Sequence, residues 1–523
     1  MSKFNPASHN KTNIQIYLEQ CICIVSFFGT IFWFLYWISN NPLPDGYQNE
    51  YLHVGNAYDL FGALIDFDIW HLRWYMYTGY WPWGFYAAPW LFLYLFGMSY
   101  SSLLYTNILY IGIIGLSCFL VRHRTPSSLF FALILVTPST FGTIVRYEPN
   151  LANIAWVSLG CASLLRSENL LQRKWVILWG FSLGCGLMTD RLSVLFFLLP
   201  AIIPLLLPII KERIWNTILG LVVAIFLSAA YYREFFIRNL EEITSQVGTG
   251  EIDSTGTLQT YDNPIEFLYY FVSIFDTQLG LIIGSAALIC LALTLIQKRI
   301  RRDEWSLIFA IAGPILFFSC IAKKQIYYTL PILWPLLYFV PFYRRISYTI
   351  IPLGLLGVFG YLTGITTFNY SWMPEKFVAP RHVLLKSPSY QEWNLDDIFL
   401  DINLQTSHML VFSTDQTFFE GFLLLKLRKF YQKPNNIRSL ILDPIGSREF
   451  LDDFDHFVWI SNDASKDWPS QDDIETELIL DHYDIQKLPP IAQQWSRQSD
   501  NFNLLKTVDY DTCTLKIFER KKP

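Results

Sequence analysis

Charge is scarce in this chain: of its 523 residues only 16% are Asp, Glu, Lys or Arg, against roughly 25% in soluble domains. That shortage argues against a soluble protein. The net charge of −5 carries no basic excess, which removes nucleic acid from the expected partners. Cysteine offers little chemistry. Cys21, Cys23, Cys118, Cys161, Cys185, Cys290 and Cys320 lie inside apolar runs, where a thiol behaves as a small buried hydrophobe. Cys513 alone sits in a polar segment, so neither a disulfide framework nor a zinc pattern is present. No cleavable leader is expected. The first apolar run exceeds a signal-peptide core and has no small-residue cleavage site after it, so it reads as a retained span.

What is there is membrane composition: 52% hydrophobic and 17% aromatic residues, gathered into charge-free runs at 20–44, 125–145, 192–210, 214–232, 277–297, 305–322 and 325–343. A bilayer core asks for about 20 such residues per helix. Apolar length places spans at 18–38, 103–121, 127–145, 150–165, 174–189, 192–210, 214–232, 277–297, 305–322, 325–343 and 347–367. The expected fold class is therefore an α-helical polytopic membrane protein of about 11 transmembrane helices, followed by a C-terminal soluble α/β domain.

Basic residues fall in alternate connections: Arg122 and Arg124; Arg166, Arg173 and Lys174; Lys211 and Arg213; Lys298, Arg299, Arg301 and Arg302; Arg344 and Arg345. The positive-inside rule makes these cytoplasmic, together with the N-terminus. The uncharged segment 81–97 would reverse every later cluster if it crossed. Its Trp and Tyr residues suit the headgroup level, so it is expected to lie flat on the outer surface. The outer face then holds the first loop at 39–102, turns at 146–149 and 189–191, and a long loop at 233–276. Beyond the membrane region, 1–370, lies an extracytoplasmic domain, 371–523. Its short apolar runs at 409–412, 439–442, 456–460 and 514–518 read as strands, and 417–431 has helical spacing.

Four outer clusters carry chemistry. Asp45, just beyond the first span, is held by Pro42, Pro44 and Gly46, and a constrained carboxylate there suits a general base. Glu50 and His53 stand three residues apart, on one face of a helix, where they suit a divalent metal or a sugar hydroxyl as well as their own neighbours. In the second turn Arg146 and Glu148 either pair with each other or face an anion and the acidic loop. In the third, Asp190 and Arg191 follow an unusually short charge-free run, which draws them toward a cavity unless they pair together. The fourth, Lys323 and Lys324, breaks the positive-inside trend. Two ammonium groups at that depth suit a lipid phosphate, or snorkel to headgroups.

These positions resemble the GT-C superfamily of integral-membrane glycosyltransferases, in particular the family that includes protein O-mannosyltransferases and the lipid A aminoarabinose transferase. The resemblance covers about residues 15–370 and rests on short motifs. Asp45 with Glu50 and His53, then the Trp-Pro-Trp-Gly-Phe-Tyr run at 81–86, look like the first-loop acid and the juxtamembrane helix. The Arg-Tyr-Glu-Pro turn at 146–149 looks like the second acidic turn, and Lys324, Tyr328 and Pro331 match a Lys-x-x-x-Tyr-x-x-Pro signature. One departure stands out: Gly46 follows Asp45 where the family pairs Asp with Glu, so Glu50 takes the second acid's task or that task is absent.

The resemblance implies inverting transfer of a sugar from a polyprenyl-phosphate donor to a lipid, glycan or protein acceptor on the non-cytoplasmic face, in a cell membrane and foremost a bacterial inner membrane. It implies Asp45, Glu50 and Glu148 as catalytic residues, and His53, Arg146, Arg191, Lys323, Lys324 and Tyr328 as substrate-binding residues. Glu50, His53 and Glu148 are the candidate ligands of a divalent cation, Mg or Mn. A transporter or lipid flippase would instead show inverted repeats and broken mid-span helices, and the sequence displays neither. A non-catalytic assembly scaffold would leave the outer clusters apart.

Overall fold

A computed structural model of the protein describes residues 13–40, 48–65, 67–70, 72–73, 82–97, 99–207, 210–246, 268–320, 326–362, 409–413, 437–439, 456–461, 468–469, 501–509 and 514–521. Asp45, Lys323 and Lys324 lie outside these residues, as does the side chain of Glu50. The chain separates into two units: Met1–Asn40 with Asp66–Leu91 and Leu104–Leu385, and Asn41–Ile65 with Phe92–Leu103 and Lys386–Pro523.

The helices are α1 (Asn13–Asn40), α2 (Gln48–Ile65), α3 (Trp83–Ala87), α4 (Trp90–Phe96), α5 (Tyr100–Leu120), α6 (Ser127–Leu135), α7 (Pro138–Ile144), α8 (Pro149–Arg166), α9 (Arg173–Leu187), α10 (Ser193–Leu205), α11 (Lys211–Gln246), α12 (Tyr269–Ser273), α13 (Gly280–Ile296), α14 (Trp305–Ser319), α15 (Leu333–Leu337) and α16 (Arg344–Leu362). Among the described residues Ile14–Ser39, Tyr100–Leu120 and Lys211–Arg233 are long and apolar enough to cross a membrane, and the bent pair α6–α7 makes a fourth. On α1 the side chains of Ile24, Phe28 and Phe32 are exposed, as are Trp215, Val222 and Phe226 on α11. Apolar surface of that kind suits lipid as its solvent, since water would disfavour it.

The interior packs through small residues. Between α9 and α11 a Cβ on Gly180 would collide with the backbone of Gly220, so these two helices meet main chain to main chain, the close approach that stabilises helix pairs in lipid. On its other side α9 packs against α8, and α10 packs against α14.

Four expected elements differ. The span at 127–145 is broken, bending by 67° between α6 and α7. Val136 ends the first helix, Thr137 accepts from the Thr140 N–H as the N-cap of the second, and Pro138 occupies its first turn. The span at 325–343 is a chain of short pieces, a 3-10 segment Ile326–Ile332, then α15, then a 3-10 turn Val340–Phe342. Pro331, Pro335 and Pro341 each withdraw an N–H from the helical ladder. Where the loop at 233–276 was expected to begin, α11 runs on to Gln246, and a π-turn at Ile274–Gln278 precedes α13. The segment 81–97 forms two short helices, α3 and α4, rather than one.

In the second unit, five strands form one sheet in the order β2-β1-β3-β5-β4: β1 (Met409–Ser413), β2 (Ile437–Ser439), β3 (His456–Ser461), β4 (Phe502–Asp509) and β5 (Thr514–Arg520). β1 pairs in parallel with β2 and β3, and β3 pairs antiparallel with β5, so the sheet is mixed. Buried Val458, Trp459, Leu515 and Ile517 supply the apolar residues of the adjacent pair β3 and β5. Four strands occupy or adjoin the expected runs, with β2 earlier than 439–442, while β4 was not anticipated. The expected helix at 417–431 lies outside the described residues.

Candidate functional site

The turns at 146–149 and 189–191 and the aromatic helix α3 meet in the first unit. Glu148 is the N-cap residue of α8, with Pro149 in its first turn. A carboxylate there is favoured by the positive end of the helix dipole. Its Oε2 accepts from Asn150 Nδ2 at 2.6 Å, and Oε1 lies 4.0 Å from Arg146 Nη1. Both charged side chains are buried, at 5% exposure for Arg146 and 6% for Glu148, where charges need partners. The two paired in the sequence reading are thus neighbours, and their separation is that of a loose ion pair.

One turn further along α8, Asn153 reaches the third turn. Its Nδ2 donates to Asp190 Oδ2 at 3.2 Å, and its Oδ1 accepts from the Ser193 hydroxyl at 2.6 Å. Asp190 Oδ1 accepts the Leu192 N–H at 3.0 Å. Burial raises the Asp190 carboxyl above its ordinary range, against the lowering pull of the Leu192 N–H, the Arg191 charge and Asn153. The start of α8 therefore carries Asn150 to one acid and Asn153 to the other. Glu148 and Asp190 are brought to the same end of one helix.

Helix α3 docks onto both turns. The Phe85 N–H donates to the Met188 carbonyl at 3.0 Å, and Phe85 stacks on Tyr147. Trp83 and Tyr232 pack around Met188 and Tyr231, and Tyr232 donates to the Leu187 carbonyl at 2.9 Å. The Ile326–Ile332 segment packs on α8 and places Tyr328 against Phe318, ring centroids 5.2 Å apart. Arg146, Glu148 and Arg191 with Tyr328 are thus distributed over α8, its preceding turn and two elements packed on it.

A second polar tie holds the irregular segments. Gln278 Nε2, at the end of the π-turn, donates to Thr329 Oγ1 at 2.7 Å, and its carbonyl accepts from Ser139 on α7 at 2.6 Å. Gln278 is 2% exposed. Sequence reading assigned no role to Asn150, Asn153 or Gln278; the partners of Asn153 and Gln278 lie across the fold, which local spacing does not encode.

In the second unit, Glu50 and His53 both lie on α2, one turn apart as their spacing predicts. His53 is buried, and burial lowers its imidazole from 6.5 to about 3, which keeps it neutral near pH 7. Among the described residues no group of three or more His, Cys, Asp or Glu could hold a metal ion.

No protein-family model matches the chain, and no curated protein matches it. Solved structures similar to it include two of ArnT from Cupriavidus metallidurans, one in the apo state and one bound to undecaprenyl phosphate. Identity is 14% with a TM-score of 0.44 for the first, and 15% with 0.45 for the second. Each match covers 69% of this chain and 66% of the ArnT chain, just under two thirds of those proteins' length.

Proposed function

We propose that the protein is a membrane glycosyltransferase of the GT-C type, transferring a sugar from a polyprenyl-phosphate donor to a lipid, glycan or protein acceptor on the non-cytoplasmic face. The observation that carries this reading is the meeting of Glu148 with Arg146, and of Asp190 with Arg191, at the same end of α8 beneath the aromatic helix α3. An inverting transfer needs a base for the acceptor hydroxyl and cations for the departing phosphate. In the proposed step Asp45 takes the acceptor's proton, the acceptor oxygen bonds to the anomeric carbon, and the bond to phosphate breaks with its electron pair. Arg146 and Arg191, with Lys323 and Lys324, hold that phosphate, and Tyr328 and His53 bind substrate. Glu50 and Glu148 orient the acceptor. A Mg or Mn ion on Glu50, His53 and Glu148 is the cofactor part of the proposal, tested by chelation.

The test is turnover of a labelled polyprenyl-phosphate sugar by purified protein. Asp45→Asn is expected to fold normally and lose at least ~100-fold in rate, the range of a general base. Unchanged turnover in that variant would overturn the assignment.

A transporter reading has one observation in its favour, the broken helices at 127–144 and 326–342. Movement of labelled lipid across proteoliposomes without a new glycosidic bond would replace the transferase reading with this one.

A further inference from the structure

The opposite end of α8 holds a second set of cations that the proposed transfer does not use. α8 has 18 residues, so Arg166 in its last turn lies about 27 Å from Glu148 at 1.5 Å per residue. There the connections 121–126 and 166–172 meet the one that precedes α14. Arg124, with 7% of its side chain exposed, donates through Nη2 to the Leu165 carbonyl at 2.8 Å and pairs with Asp303 at 2.5 Å. Its Nε–H donates to His123 Nε2 at 3.0 Å.

Arg166 reaches the same imidazole from the other side, with Nη1 at 3.2 Å from Nδ1. A neutral imidazole offers one lone pair and one N–H. The lone pair at Nε2 receives Arg124, and His123 also bonds to the Leu120 backbone, which leaves Nδ1 as the N–H. Arg166 Nη1 therefore faces a donor. Nearby carboxylates are already engaged: Asp303 with Arg124, Glu304 with the Tyr338 hydroxyl and the Arg301 N–H, and Glu168 with Gln172. Arg166 Nε and Arg124 Nη1 are buried with no hydrogen-bond partner among the described residues. Arg166 also stacks over Trp175 at 4.8 Å from its ring centroid, with Lys174 Nζ at 5.4 Å from the same ring.

We propose that Arg124, His123, Arg166 and Lys174 form a binding site for a phosphate-bearing anion at the end of the helices away from the proposed transfer site. Positive charge in a cytoplasmic connection follows from insertion alone. Two buried guanidinium nitrogens without a partner among the described residues, Arg124 Nη1 and Arg166 Nε, do not, because a buried orphan donor is costly. A phosphate oxygen would accept from the two guanidiniums, at Arg124 Nη1 and Arg166 Nε, with His123 holding both side chains in place. Partial burial and then the charges of Arg124, Arg166 and Arg301 hold His123 down to about 4, in keeping with a field that attracts anions.

Native mass spectrometry and thermal unfolding of the full chain test the site. The chain is held in neutral detergent doped with phosphatidate, with phosphatidylcholine, or with inorganic phosphate at matched ionic strength. Phosphatidate or phosphate is expected to be retained and to raise Tm, whereas phosphatidylcholine is not. Arg166→Gln and Lys174→Gln, which leave the Arg124–Asp303 pair intact, are expected to weaken retention by about fivefold or more, as loss of a charge-assisted bond does. A response to phosphatidate alone identifies a lipid headgroup as the ligand, and a response to phosphate identifies a soluble anion. Equal retention in the wild type and Arg166→Gln, or retention of neither anion, overturns the proposal.

Discussion

Tyr147 lies stacked on Phe85, ring centroids 4.7 Å apart and planes within 22°, and its hydroxyl donates to the Phe85 carbonyl at 3.3 Å. A residue of the turn at 146–149 thereby holds a helix that begins more than sixty positions earlier. The fit leaves no room beside it. A Cβ on Gly84 would lie 2.7 Å from Met188 Cβ and 2.9 Å from its carbonyl oxygen. Gly84→Ala is expected to displace α3, at a cost of ~1–3 kcal/mol. Thermal unfolding in detergent measures the cost, and a fall in transfer rate beyond it would tie α3 to the site.

Asn153 is the only described side chain that donates to Asp190 Oδ2 in the bonds set out above, and it also accepts from Ser193. Asn153→Leu removes both bonds and leaves a desolvated carboxylate. The expected loss is ~1–3 kcal/mol, seen as a lower Tm. Restoring the amide with Asn153→Gln should recover less than half of it, because the longer side chain misplaces the donor.

His53 makes acid stability readable. Its imidazole titrates at an ordinary 6.5 when unfolded and at about 3 when buried. Between those values the unfolded chain binds a proton that the folded chain does not, so stability is full above pH 6.5 and declines as pH falls toward 3. A Tm-versus-pH series is expected to show His53→Gln with a shallower decline across that window. Parallel curves would mean that other groups set the acid limit.

Arg124 and Asp303 form the pair at the far end of the bundle, with side chains 7% and 17% exposed. Arg124→Met strands Asp303 beside Glu304, whose carboxyl burial already raises. The expected cost is ~3–5 kcal/mol. Adding Asp303→Leu should return part of the loss, and a double-mutant cycle measures the coupling.

Legibility varied with the kind of signal. Helices α8 and α9 coincide with the expected spans because apolar length and flanking Arg166 and Arg173 mark their ends. The breaks at Pro138 and at Pro331, Pro335 and Pro341 are marked by prolines, but the charge-free runs that contain them have the length of unbroken spans. The continuation of α11 past 233 was obscured because its later turns are charged. At the site, Arg146 with Glu148 was readable from adjacency. The Asn153–Asp190 bond joins residues 37 apart, a separation that periodicity does not encode. Asp45, Lys323 and Lys324 lie outside the described residues.

The tie through Gln278 has a mechanical meaning. Three interruptions of regular helix, the bend before α7, the π-turn and the 3-10 segment, would ordinarily be three independent hinges. One side chain and its own carbonyl pin them together, through Thr329 on one side and Ser139 on the other. A pull on the strand of chain leading to Tyr328 is therefore transmitted to α7, and the interruptions flex as one joint or not at all.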